Sequence, residues 1–433
     1  MKAPHHSVTI QLYEDRPAGR HAAVPHGSLL RRVYAPRAFD ALAFSMSTYA
    51  MPLLVLATTD SARLTGLAFA LEWIPRVAAF GLAGDLVDRR GAAVVFFLAS
   101  LARAIVVAAG AVALIMLQRG TAETVVVMAL AAGTGTLTQF SFIANEAVGA
   151  IVSRRTDTQA HKVQAVLIGI DQTATLTGPA LGGVLLLAGP TRMLVVLGVL
   201  SCLAAALALQ TPPTPLRGSG RHNKRPEAGL KAGWRTLRSL PALGCLVAGL
   251  SISNLALGLL QSASPIIVVE RFGLSPAAVG TLWSAAAAST LLAVAVCRFA
   301  LGRLGLWGVG AVCSTIASAA CLALAQAPTY LAYVVLMALF MAGDGGLTVV
   351  LRTLRSLLIP AAVFGSTLSL TILLLLLPFP VAGILVAVTP PWALGHVIAV
   401  CAALQAVALG IVFLRLRTDP VLRASGKPEQ ATA

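Results

Sequence analysis

Twelve apolar runs, each about 20 residues or longer, dominate the sequence and leave the chain few folds to choose from. They lie near 39–59, 64–84, 92–117, 123–148, 163–188, 191–210, 240–268, 276–300, 305–326, 329–351, 361–388 and 391–415. A hydrocarbon core about 30 Å thick takes roughly 20 residues of helix. Inside it the backbone must satisfy its own hydrogen bonds. The runs therefore predict twelve membrane-spanning helices. A β-barrel is excluded, because its strands give weak alternating patterns rather than unbroken apolar runs. Of the 433 residues, 58% are hydrophobic and 11% charged, against about 25% charged in soluble domains. That balance excludes an ordinary soluble enzyme and a disordered chain alike.

The runs divide six and six around a stretch that begins TPPTPLRGSGRHNKRP, in which Pro212, Pro213 and Pro215 stop helix continuation. The expected organisation is a polar N-terminal tail over 1–37, a six-helix bundle over 38–210 and a central loop over 211–239. A second bundle follows over 240–416, and a C-terminal tail over 417–433. Taken alone, the net charge of +16 fits a nucleic-acid partner, but the placement of the charges argues otherwise. The loops on one side hold only Arg63, Arg119, Arg192 and Arg271, while most of the remaining Lys and Arg residues fall on the side of the two tails. That asymmetry predicts both termini in the cytoplasm and reads the basic excess as topology, with the bilayer and not nucleic acid as partner. The N-terminal segment has no early apolar core of the kind a signal peptide needs. Cys202, Cys245, Cys297, Cys313, Cys321 and Cys401 all fall in apolar runs without CxxC or CxxH spacing, and are expected to be buried and unpaired.

Two motifs stand out. Gly84-Asp85-Leu86-Val87-Asp88-Arg89-Arg90-Gly91 links the second and third spans. Gly84 is expected to let helices approach closely. Asp88 is expected to meet the positive end of a neighbouring helix, and Arg89 and Arg90 to anchor the turn in the cytoplasm. In the fifth span, Gly178, Gly182 and Gly183 form a small face for tight packing, and Pro179 removes a backbone donor. Pro378, Phe379, Pro380 and Gly383 echo that motif in the eleventh span, and Gly302-Arg303-Leu304-Gly305 is a degraded copy of the first-half loop.

The Gly84–Gly91 loop resembles the signature G-x-L-x-D-R-x-G-R-K of the major facilitator superfamily. It matches at Gly84, Leu86, Asp88, Arg89 and Gly91, and departs where Ala92 and Ala93 replace the final basic pair. The resemblance implies two pseudo-symmetric six-helix bundles that rock about a central cavity. The Gly178-Pro179 pair is similar to the pattern of the export branches. With Glu72-Trp73-Ile74-Pro75-Arg76, Leu101-Ala102-Arg103-Ala104 and Gln172, residues 38–210 resemble the enterobactin-exporter-like branch. That likeness implies a monomeric bacterial inner-membrane carrier exporting a small polar molecule, foremost a siderophore, on the proton gradient and without a cofactor. Multidrug efflux, uptake of a metabolite or ferri-siderophore, and a non-transporting scaffold are the rival readings. The arginine that marks the fourth span of many drug/proton antiporters is absent between Thr124 and Ala150, which places a standard proton relay in doubt.

An ionisable residue deep in a bilayer costs several kcal/mol and normally faces a cavity or a partner. The candidates for substrate or proton handling are Asp40, Glu72, Arg76, Arg103, Asp171 and Asp344, with Gln139, Asn254 and Gln261 as polar companions. Each has a plainer reading. Glu72 and Arg76, four apart, can be a structural pair. Asp40, at the start of a span, can be solvated. Arg103 can serve an acidic neighbour, and the amides can be helix glue. Asn145 and Glu146 suggest an inner gate, Glu146 alternatively meeting Arg154 or Arg155. Asp171 stands out for its place seven residues before Gly178. No GxxxxGK[ST], HExxH, GxSxG or Cys/His metal set occurs, so the chain is not expected to be an enzyme.

Overall fold

The computed structural model describes residues 29–117, 120–156, 160–210, 230–360 and 363–418. Among them every regular element is helical. A π turn, Leu30–Tyr34, leads into α1 (Ala35–Thr59), followed by α2 (Ala62–Arg90), α3 (Ala92–Met116), α4 (Thr121–Thr156), α5 (Ala160–Leu187) and α6 (Pro190–Ala208). A short helix, α7 (Leu230–Ser239), precedes α8 (Pro241–Ile266), α9 (Pro276–Leu324), α10 (Tyr330–Leu358), α11 (Phe364–Leu376), α12 (Pro378–Val388) and α13 (Leu394–Leu416). Helix α9 is two legs joined at Gly305, and α11 with α12 makes one span. The rest of both tails and of the central loop lies outside the described residues.

Local chemistry sets the helix ends. Proline occupies the first turn of α1, α6, α8 and α9, where its missing N–H costs nothing. Ser61 and Thr329 cap α2 and α10, accepting from the Leu64 and Ala332 N–H at 3.3 Å. Gly91 (φ 88°) and Gly305 (φ 67°) turn the chain between consecutive spans in a region that favours glycine. The two halves thus share one device at corresponding places.

Two expectations change, and one helix gives a weaker apolar signal than its neighbours. Span one starts about nine residues earlier than its apolar run, because the helix runs from the π turn at Leu30 through Pro36, a stretch whose basic Arg31 and Arg32 hide it in the sequence. Residues 30–37 therefore belong to the first helix and not to the tail. Among the described residues, eleven spans are long and apolar enough to cross a membrane by length and composition, and α5 falls short of that apolarity. Asp171, Gln172, Thr173, Thr175 and Thr177 dilute its hydropathy, and its 28 residues, about 42 Å of helix, pack between α1 and the first leg of α9. Cys202 is exposed rather than buried, and all six cysteines are unpaired.

Helices α1–α6 pack around α1, and α8–α13 around α8 and α9. The two groups meet through α5 against α9 and α2 against α12. The side carrying both chain ends is here the terminus side, and the opposite one the far side. The close approaches between the groups lie on the far side. A Cβ added to Gly183 would be 2.7 Å from the Pro276 carbonyl oxygen, and one added to Gly383 would be 2.6 Å from the Ala70 nitrogen. These two contacts, α5 with α9 and α12 with α2, are related by the two-fold repetition of the chain.

Pro378 supplies a test of how lipid-embedded backbone is satisfied. It has no N–H for the Leu374 carbonyl, which instead accepts from the Ser251 hydroxyl at 3.0 Å. Asn254 donates to the next carbonyl, Leu375, at 2.7 Å. Ser251→Ala is expected to destabilise by about 1 kcal/mol, as for other interhelical hydrogen bonds in membranes. The same change in a Pro378→Ala background is expected to cost much less, because the backbone donor returns. Unfolding of the four proteins in detergent measures the cycle.

Candidate functional site

At the centre of the first bundle, Arg103 of α3 is fully buried. Its Nη2 donates to Asp40 Oδ1 at 2.7 Å, its Nε to Ser201 Oγ at 2.9 Å and its Nη1 to Ser141 Oγ at 3.3 Å. Asn145 Nδ2 donates to the other Asp40 oxygen at 3.3 Å. Five side chains from α1, α3, α4 and α6 thus form one network. Asp40 is not solvated at an interface, as its place at the start of an apolar run suggests, but 3% exposed. A buried pair is tolerated when its remaining polar atoms are satisfied, and this one clamps four helices together.

One turn before Asp40 lies Arg37, which the sequence places in the tail. It is buried, and its Nε donates to Asp171 Oδ1 at 2.9 Å. Its Nη2 bridges Asp171 Oδ2 and Glu146 Oε1, and its Nη1 reaches the Asn145 carbonyl at 3.4 Å. Glu146 therefore meets Arg37; the side chains of Arg154 and Arg155 lie outside the described residues. The two carboxylates keep 38% (Asp171) and 51% (Glu146) side-chain exposure, against 6% for the guanidinium. One fixed cation is shared by two accessible acids, so the cluster carries a formal charge of about −1. A legible sign of Arg37 was its spacing of three from Asp40, which puts both on one helix face.

Glu72 and Arg76 pair at 2.8 Å on α2, almost wholly buried. The Arg76 guanidinium also stacks 4.4 Å from the Trp73 ring and 5.2 Å from Phe44. Glu72 Oε2, Arg76 Nε and Arg76 Nη1 are buried without hydrogen-bond partners. Trp73 stacks on Phe379 of α12 at 4.2 Å, so this half-satisfied pair backs directly onto the contact between bundles. Gly135 of α4 makes room for it: a Cβ there would be 2.9 Å from Glu72 Cγ.

In the second bundle, the Gln261 carbonyl oxygen is buried and unpartnered. Tyr49 stacks 5.0 Å from Trp283. Asn254 is committed to the α11–α12 break, and Gln139 is buried within α4. Asp344 of α10 lies between Gly343, against Ala317 of the second α9 leg, and Gly345, against Thr290 of the first. It is half-buried, with no ion-pair or hydrogen-bond partner among the described residues. Arg355, which the apolar run assigns to a loop, is inside α10 and 8% exposed, with Nε and Nη2 unpartnered. Among the described residues, the first bundle thus holds paired charges, and the second a carboxylate without a partner and a guanidinium with two unpartnered nitrogens.

The motif residues divide. A Cβ on Gly84 would meet nothing within 4 Å, so this glycine does not serve close helix approach. Asp85, Arg89 and Arg90 are exposed at the end of α2, and the Asp88 side chain lies outside the described residues. Gly178 and Gly182 do seat α5 on α1: their Cβ atoms would be 2.6 Å from Ser45 Oγ and 2.9 Å from Ala50 Cβ. Pro179 and Gly183 face α9 instead.

Two six-helix groups that meet on one side, with ionisable residues buried within them, form the frame of a membrane transporter. The chain belongs to the Major Facilitator Superfamily, whose sequence profile matches residues 37–377. Among solved structures it is similar to the nucleoside transporter NupG, at 12% identity and a TM-score of 0.72 over 89% of this chain and 100% of that one. It is also similar to an inward-facing bacterial homologue of the iron transporter ferroportin, at 15% identity and a TM-score of 0.66 over 89% and 97%. A bacterial homologue of the human lysosomal transporter Spinster, inward-facing and unoccupied, matches at 15% identity and a TM-score of 0.62 over 92% and 99%. These likenesses show the fold. No curated protein matches the chain, and neither the profile nor the structures support the narrower enterobactin-exporter-like branch.

Proposed function

We propose that the chain is a secondary carrier that exports a small polar molecule across the bacterial inner membrane in exchange for protons. The observation that carries this reading is Arg37 held between two part-exposed carboxylates. With both termini cytoplasmic, the terminus side faces the cytoplasm and the far-side closure is an inward-facing state. Protonation of Asp171 neutralises the cluster and weakens the tie between α1 and α5. Helix α5 is also the helix that seats on α9 at the far side, so a proton at one end bears on the contact at the other. A cationic group of the cargo acts on the same carboxylate, and competition between the two is the coupling.

A siderophore is the foremost cargo on the first-half resemblance alone. The second reading is uptake of a metabolite; a nucleoside transporter is among the proteins that share this fold. In proteoliposomes, Asp171→Asn is expected to abolish most cargo movement driven by an imposed pH gradient while leaving cargo exchange across equal pH. Undiminished gradient-driven transport would remove Asp171 from the coupling. For the cargo, deletion in a siderophore-producing host is expected to lower secreted siderophore under iron limitation. Unchanged secretion in a strain without a second exporter overturns that choice.

A further inference from the structure

We propose that α7 is an interfacial helix whose basic face binds anionic lipid headgroups and whose inner face holds α11. Helix α7 ends at Ser239, two residues before membrane span α8 begins, so it lies at the edge of the bilayer on the terminus side. Its sequence, LKAGWRTLRS, separates three faces. Ala232, Gly233 and Leu237 are buried. Gly233 brings the backbone onto α11, since a Cβ there would be 2.6 Å from the Ser366 carbonyl oxygen. Leu230 and Trp234, four apart, are 53% and 46% exposed despite being apolar. Lys231 and Arg238 are exposed on the adjoining face, and Arg238 lies over the Trp234 ring at 5.5 Å.

An exposed Leu and Trp beside exposed cations is the pattern of a helix lying in the headgroup region, with its apolar residues at the acyl boundary and its charges among phosphates. Tryptophan prefers that depth. No acidic residue occurs between Leu230 and Ser239, so the face complements a negative surface rather than a mixed one. The occupant is the bilayer's own anionic lipid, because α7 cannot leave the membrane edge while its end is joined to α8. A headgroup held there also steadies α11, the terminus-side half of the span whose other half closes the far side.

This inference rests on the chain's crossing a membrane and not on any cargo. The test is hydrogen exchange of the full-length protein in phosphatidylcholine nanodiscs with and without phosphatidylglycerol. Phosphatidylglycerol is expected to slow exchange across residues 230–239 on the order of tenfold, with a smaller slowing over 364–376. High salt is expected to remove the difference, as is the double variant Lys231→Glu/Arg238→Glu, both at exposed positions. Equal exchange in the two lipids, or slowing that survives charge reversal, overturns the proposal.

Discussion

Arg103→Met is expected to destabilise the protein by about 3–5 kcal/mol, the usual cost of removing one member of a buried ion pair. The reason is local. Asp40 is 3% exposed and loses its partner at 2.7 Å, leaving one amide donor, from Asn145 at 3.3 Å, to hold a carboxylate in lipid surroundings. Ser141 and Ser201 lose a donor at the same time. Because much of that cost is an orphaned charge and not the worth of the pair, Asp40→Asn combined with Arg103→Met is expected to recover most of it. The fraction of protein remaining monodisperse after heating in detergent separates these outcomes. A single variant as stable as the wild type would show that the network does not hold the first bundle together.

The second large effect concerns conformation. A Cβ at Gly280 would be 2.5 Å from the Pro179 carbonyl oxygen and 2.9 Å from Ala180 Cα; at Gly66 it would be 2.8 Å from the Gly383 carbonyl oxygen. These neighbours are backbone, so they cannot rotate away, and the bundles must part. Overpacking of this kind costs about 1–3 kcal/mol per site, which shifts a two-state balance roughly 5- to 160-fold. Inverting a 1:99 balance takes about 5.5 kcal/mol, so Gly280→Leu and Gly66→Leu together are expected to bring the far-side-open state into clear population where either alone does so only partly. Spin-label distances between far-side loops, for example at residues 61 and 274, report it. Unchanged distances in the double variant would mean that the packing yields without opening.

The two-bundle membrane architecture was legible because lipid imposes it residue by residue: an apolar run must be helical, and its length must match the bilayer. Helix α5 shows where that logic weakens, since Asp171 and its neighbouring threonines lower the apolar signal of a helix that still exposes Val166, Ile168, Val184 and Leu187. The glycine motif of α5 was legible both as residues and as packing. Gly84 was legible as a motif residue only, for nothing approaches it. Arg37 was missed because its tail neighbours Arg31 and Arg32 are exposed while it is not, and a one-dimensional charge count treats them alike.

From the order of its residues alone, the chain determined that it folds into apolar helices long enough to cross a membrane, separated by charged turns. Those properties depend on local apolarity and on electrostatics that act near each span. Which acid meets which base was decided only by the tertiary structure: Asp40 with Arg103, 63 residues on, and Arg37 with Asp171, 134 residues on. Such pairings depend on helix rotation and depth, and those are set by the fit of glycine faces between helices that are distant in sequence.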